Sequence, residues 1–240
     1  MRVALYYAPD PGSALGRLAA AWLGRDASSG AEMSRPAGLV PGGTDCDAVT
    51  ASPRRYGFHA TLKAPFRLAE GMSLDRLDGA VAAFAARRKA FELPLRVARL
   101  GRFLALVPAA ASEELETLAA AAVVRFEPYR APLGEAELAR RRRSPLTPRQ
   151  DELLARFGYP YVLDQFQFHM TLTEALQDDV RAALRAHLQA AFAAVLAVPQ
   201  PIDRLALFVE DEPGAPFRVH SAHVLAGVRR GAALPGRVDA

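Results

Sequence analysis

The sequence predicts an α+β fold of two half-lobes related by a pseudo-twofold. Three observations carry that expectation. First, a strand holding Phe58-His59-Ala60-Thr61-Leu62 precedes a helical segment and then a hairpin, and a strand holding Phe168-His169-Met170-Thr171-Leu172 does the same. Second, the downstream elements fall at matched offsets: Leu93 follows His59 by 34 positions (59 to 93), and Ile202 follows His169 by 33 (169 to 202). Third, 240 residues that are 51% hydrophobic and 23% charged suit a globular chain that buries roughly three-quarters of its unfolded surface. Two copies are too few for a solenoid. One bilobal domain over 1–240 is expected, with motif halves at about 52–110 and 160–227, completed by the first strand and helix at 2–24.

The elements follow from periodicity and punctuation. Arg2–Pro9 reads as an opening strand stopped by Pro9 and Pro11. Ser13–Gly24 carries Leu15, Leu18, Trp22 and Leu23 at helical spacing, with Ser13 as N-cap and Gly24 as stop. Residues 25–53 are rich in Gly, Ser, Pro and Asp and read as a long loop, of the kind that is usually functional or mobile. Tyr56–Leu62 reads as a strand, Leu74–Lys89 as an amphipathic helix capped by Ser73, and Leu93–Val97 with Phe103–Val107 as a hairpin. Ser112–Phe126 and Gly134–Arg143 read as helices, and Thr147-Pro148 opens another that ends at Gly158. Phe166–Thr173 reads as a strand and Gln177–Val195 as a helix. Ile202–Glu210 and Phe217–Ala226 read as strands around Asp211-Glu212-Pro213-Gly214, with a frayed tail after Gly227.

Composition narrows the chemistry. The single cysteine, Cys46, allows neither an internal disulfide nor a Cys/His zinc cluster, which fits a reducing, cytoplasmic setting. The opening apolar run is too short for a signal-peptide core, and no stretch reaches membrane-spanning length. No Gly-rich phosphate loop, dinucleotide fingerprint or nucleophile elbow is present. The net charge of +4 favours anionic ligands in general. The run Arg140–Arg143 suits a solvated helix end better than a ligand site.

Alternation along the two motif strands groups the polar residues. On a regular strand Arg55, Gly57, His59, Thr61 and Lys63 share one face, and Phe58, Ala60 and Leu62 share the other. In the second copy Gln165, Gln167, His169, Thr171 and Thr173 share a face. The apolar faces explain packing, whereas the polar rows need a wet cleft. If the halves face each other, His59 and His169 converge on one ligand. Imidazole titrates near pH 6.5, so the pair supplies a base and an acid together. Thr61 and Thr171 are placed to hold phosphate oxygens, and Lys63 and Arg55 to add positive charge. No metal and no cofactor is required.

His-x-Thr-hydrophobic, twice, on strands about a hundred residues apart, resembles the two-histidine phosphoesterase superfamily. Arg54-Arg55-Tyr56-Gly57-Phe58-His59-Ala60-Thr61-Leu62-Lys63-Ala64-Pro65-Phe66 resembles more narrowly a branch linked with phosphonate metabolism. Ala21-Trp22-Leu23-Gly24-Arg25-Asp26 and Gly158-Tyr159-Pro160-Tyr161 are similar to that branch too, so the likeness spans most of residues 2–226. It implies two pseudo-symmetric α+β lobes with antiparallel sheets facing across a central cleft and helices outside. It also implies metal-independent hydrolysis of a small cyclic phosphodiester, such as a ribose cyclic phosphate, with His59 and His169 catalytic and Thr61, Thr171 and Lys63 binding phosphate. The second copy has Thr173 in place of Lys63, so anchoring by Lys63 is one-sided. Arg55, Tyr56, Tyr6 and Thr173 are further candidate substrate contacts.

Other candidates weigh less. His220 and His223 are three apart on a strand and point to opposite faces, so a shared metal needs a bulge. His187 reads as surface or packing. Two other readings stay open: an RNA-end-processing enzyme using the same histidines, with nucleic acid as partner, and a non-catalytic module binding a small phosphorylated ligand. The sequence leaves open the oligomeric state, which histidine is the acid, and whether 25–53 forms a lid.

Overall fold

The opening strand β1 (Arg2–Tyr7) is buried along nearly its whole length, which is why it reads as an unbroken apolar run rather than an alternating one. The structure, a computed structural model, describes residues 1–226, so the tail expected to fray lies outside the described residues. Helix α1 (Ala14–Leu23) starts where the Ser13 hydroxyl accepts from the Gly16 amide and stops at Gly24, whose φ of 74° most side chains avoid.

The stretch expected as a loop contains a helix, α2 (Cys46–Tyr56), capped by the Asp45 carboxylate. Pro53 sits inside it and removes the amide that would bond the Val49 carbonyl. That carbonyl accepts instead from the Glu174 amide, far along the chain, at 2.7 Å. A tertiary partner therefore supports a helix that local rules break. As a result Tyr56 ends a helix, and the first motif strand, β2 (Ala60–Phe66), begins four residues later than expected.

Helix α3 (Leu74–Ala85) leads to β3 (Phe91–Leu93) and then the hairpin β4 (Leu95–Leu100) and β5 (Phe103–Pro108). Helices α4 (Glu113–Arg125), α5 (Glu135–Arg141) and α6 (Pro148–Phe157) follow. The second motif strand, β6 (Met170–Thr171), is shorter than expected and is followed by α7 (Asp178–Leu196), β7 (Gln200–Ile202), β8 (Arg204–Glu210) and β9 (Arg218–Val224). The seven helices and the antiparallel strands form the expected α+β arrangement.

Seven strands form one antiparallel sheet in the order β4-β5-β6-β2-β1-β8-β9, and β3 pairs with β7 in a second, two-stranded sheet. The halves β4-β5-β6 and β2-β1-β8-β9 join where Ala60 pairs with Met170. Corresponding elements of the two copies thus pair with each other twice, β2 with β6 and β3 with β7, both antiparallel. The hairpins cross over: β4-β5 follows the first motif but pairs with β6, and β8-β9 follows the second but joins the half that holds β2. α3 packs on β8 and β9, and α7 on β4 and β5.

The main core lies between one sheet face and the helices, with Val3, Leu5, Tyr7, Leu62, Leu106, Met170, Leu188 and Phe192 among its members. The alternate residues of β1, Ala4 and Tyr6, belong to a smaller cluster on the opposite face with Ala206, Phe208 and Phe217. That opposite face carries the cleft. Among the described residues no helix is long and apolar enough to cross a membrane.

Candidate active site

The Ala60–Met170 pairing fixes the site. Both side chains are fully buried in the core, so their neighbours on each strand point the other way. Extending the antiparallel register places His59 across from Thr171 and Thr61 across from His169. The two histidines are then diagonal neighbours, about 7–8 Å apart in a regular sheet and somewhat closer at their β-carbons. That spacing leaves room for one tetrahedral group between the rings. Tyr6 pairs with Thr61 from the other side, so its ring joins the same face.

The two histidines are held alike. His59 Nδ1 lies 2.8 Å from the Gly57 carbonyl, and His169 Nδ1 lies 2.8 Å from the Gln167 carbonyl. A carbonyl only accepts, so each Nδ1 carries a proton and each Nε2 is left without a partner among the described residues. The first carbonyl depends on Gly57, which has φ 78° and whose missing Cβ would lie 2.5 Å from that of Ala27. The Tyr6 ring stacks on His59 at 3.8 Å, and Phe103 lies 5.7 Å from His169. Burial against these walls pushes His59 down to about 4, with the charge of His169 adding to the shift and the Gly57 carbonyl opposing it. Burial lowers His169 as well, against the pull of its own carbonyl.

A cleft of about 950 Å³ opens over these four residues. Its walls include Tyr6, Tyr56 and Arg55 from the expected set, and Arg2, Arg67, Arg140, Arg141, Tyr159 and Glu210 besides. Arg55 reaches it from helix α2 rather than from a strand, and its guanidinium pairs with Glu210. Arg2 pairs with the same buried carboxylate.

Two expected contacts are corrected. Lys63 is buried on the far side of the sheet, with Nζ 2.8 Å from Glu127 and 3.3 Å from the Val123 carbonyl. The reason is a bulge: Tyr6 pairs with Thr61 but Leu5 with Lys63, so Leu62 is an extra residue that turns Lys63 to the core face. Thr173 is also buried. Its hydroxyl accepts from the Leu104 amide at 3.0 Å and donates to the Glu174 carbonyl at 2.8 Å, a structural role.

The remaining histidines lie elsewhere. His187 bonds the Leu39 carbonyl at 2.8 Å, and His223 bonds Asp78 at 2.8 Å. His220 is exposed on β9 and Arg218 pairs with Asp211, so neither lines the cleft. Among the described residues no group of three or more His, Cys, Asp or Glu is arranged to hold a metal ion. Sequence reasoning missed the cleft role of the arginine run. Arg142 pairs with Asp151 as a solvated residue does, but Arg140 and Arg141 line the cleft.

The family described as "Protein of unknown function (DUF1045)" matches residues 61–218, and the chain belongs to it. A protein of Janthinobacterium sp. (strain Marseille) called "Ribose 1,5-bisphosphate phosphokinase PhnN" is 43% identical over 99% of this chain and 54% of its own length. One of the same name from Laribacter hongkongensis (strain HLHK9) is 41% identical over 91% of this chain and 50% of its own length. The chain thus spans about half the length of the curated relatives it matches. The crystal structure of E. coli LigT complexed with 3'-AMP superposes with a TM-score of 0.39 at 12% identity, covering 93% of this chain and 97% of that one, a likeness too loose to carry an argument.

Proposed function

We propose that the chain is a two-histidine phosphoesterase that hydrolyses a small cyclic phosphodiester, with His59 and His169 as its acid–base pair. The observation that supports this most is the diagonal placement of two imidazoles, each with its Nδ1 proton committed to a backbone carbonyl. One Nε2 takes the proton of a water whose oxygen attacks phosphorus. The other Nε2 gives its proton to the sugar oxygen as the phosphorus–oxygen bond of the ring breaks. The product is a phosphomonoester; the first ring then releases the proton it gained to solvent, and the second ring takes back from solvent the proton it gave. The Thr61 and Thr171 hydroxyls donate to the non-bridging oxygens, where charge grows. Positioned proton transfers of this kind contribute about 10²–10⁴-fold each.

The substrate class we favour is a ribose cyclic phosphate, in keeping with the resemblance to the phosphonate-linked branch. The relatives' name adds support. Opening a 1,2-cyclic phosphate on ribose 5-phosphate at the 2-oxygen gives ribose 1,5-bisphosphate, the compound on which those longer proteins are named to act. On this reading their kinase activity belongs to the half that this chain does not match. The name equally motivates a second reading, in which this chain is itself a kinase.

The deciding experiment follows phosphorus NMR of cyclic ribose phosphates and 2',3'-cyclic nucleotides with EDTA present, for the wild type, His59→Ala and His169→Ala. Wild-type ring opening that falls at least 100-fold in both variants is expected. Undiminished turnover in either variant, or its loss on chelation, overturns the mechanism. ATP-dependent phosphorylation of ribose 1,5-bisphosphate by this chain alone would establish the kinase reading instead.

A further inference from the structure

The cations of the cleft divide into two groups. Arg2 and Arg55 share the Glu210 carboxylate, and Arg67 pairs with Glu137 at 2.9 Å. Arg140 and Arg141, at the end of α5, have no carboxylate within ion-pair distance among the described residues, although both line the cleft. Arg141 also carries a buried Nε with no hydrogen-bond partner, and its guanidinium lies 5.9 Å from the centre of the Tyr159 ring. Buried donors are paired in nearly all folded proteins, so an orphan guanidinium nitrogen on a cleft wall calls for an acceptor from outside the chain.

Charge and size point the same way. A cyclic phosphodiester brings one negative charge, and that charge is placed at the histidines. Arg140 and Arg141, the cleft guanidinium groups with no carboxylate within ion-pair distance among the described residues, together match the charge of roughly −1.5 to −2 on a phosphomonoester near neutral pH. A planar guanidinium grips such a group through two parallel hydrogen bonds. The cleft, at about 950 Å³, lies near the upper end of the roughly 300–1,000 Å³ range of small-molecule sites, and a lone sugar cyclic phosphate would leave much of it empty.

We infer that Arg141 and Arg140, with Tyr159 beside them, form a second anion subsite that binds a phosphomonoester on the part of the substrate remote from the reacting phosphorus. This rests on the cyclic phosphodiesterase reading for the identity of the reacting end, but not for the subsite itself. A substrate with two phosphorus groups in turn requires that the reaction supplying it start from, or install, a sugar phosphate.

Two measurements test it. In the first, kcat/KM is compared for a ribose 1,2-cyclic phosphate with and without a 5-phosphate. The wild type is expected to prefer the doubly phosphorylated compound by roughly 10- to 100-fold, the scale of one or two charge-assisted hydrogen bonds, and Arg141→Met to compress that ratio toward one. In the second, calorimetric binding of ribose 5-phosphate is expected to weaken at least tenfold in Arg141→Met and to persist in His59→Ala. Arg141→Lys, which keeps the charge without the planar donor set, is expected to fall between, and it replaces Arg141→Met if that variant does not fold. Equal kcat/KM for the two compounds in the wild type, or ribose 5-phosphate binding indifferent to Arg141, overturns the subsite. If no cyclic phosphate is turned over, the catalytic reading fails and the ribose 5-phosphate titration still decides the subsite.

Discussion

Replacing His59 by Gln should make the protein less sensitive to mild acid. The imidazole titrates near 6.5 in an unfolded chain and at about 4 in the fold, because burial beside Tyr6 penalises its charged form. Its folded value is depressed, so the unfolded state takes up a proton that the folded state refuses. Stability is then fully present above pH 6.5 and is lost as the pH falls through the window from 6.5 to about 4. Integrated between pH 7 and pH 5, a shift of that size removes about 2 kcal/mol, with most carboxylates still ionised. Urea unfolding of the wild type and His59→Gln at both values isolates this contribution, since every other group is common to the two. The wild type should lose about 2 kcal/mol more than the variant on going to pH 5. Equal losses would refute the claim that the cleft desolvates this ring.

Three further outcomes follow from the same geometry. Because burial lowers both imidazoles, the bell of kcat/KM against pH, which reports the free enzyme, is expected to centre below pH 6.5, whereas that of kcat lies higher because bound phosphate favours the protonated ring; a kcat/KM optimum above about 7.5 would contradict the site's electrostatics. Gly57→Ala drives a Cβ to 2.5 Å from Ala27 at a φ of 78°, so a stability loss of at least about 2 kcal/mol, read by urea unfolding, and a lower kcat are both expected as the carbonyl behind His59 moves. Lys63→Met keeps the side-chain volume and leaves Glu127 paired with Arg130, so a loss of about 1–3 kcal/mol with an unchanged KM is expected; a raised KM would return Lys63 to the phosphate.

Much of the site was legible in the sequence because it rests on local rules. The repeat of His-x-Thr marks strands whose alternate residues share a face, and Ser13, Ser73, Ser112 and Thr147 cap the expected helices. Where the reading failed, a longer-range partner had overridden a local rule. Pro53 signals a break, yet α2 continues because the Glu174 amide takes the freed carbonyl. Simple alternation assigns Lys63 to the cleft, yet the bulge at Leu62 turns it to Glu127.

The sequence alone therefore determined the two His-x-Thr motifs and the face that His59 shares with Thr61 and His169 with Thr171. Only the tertiary structure decided which strands pair, because pairing depends on how the two copies meet across Ala60 and Met170. That single register makes the histidines diagonal neighbours. It also decided which arginines share the carboxylates of Glu210 and Glu137 and which have no carboxylate in reach among the described residues, a distinction set by distances between residues far apart in the chain.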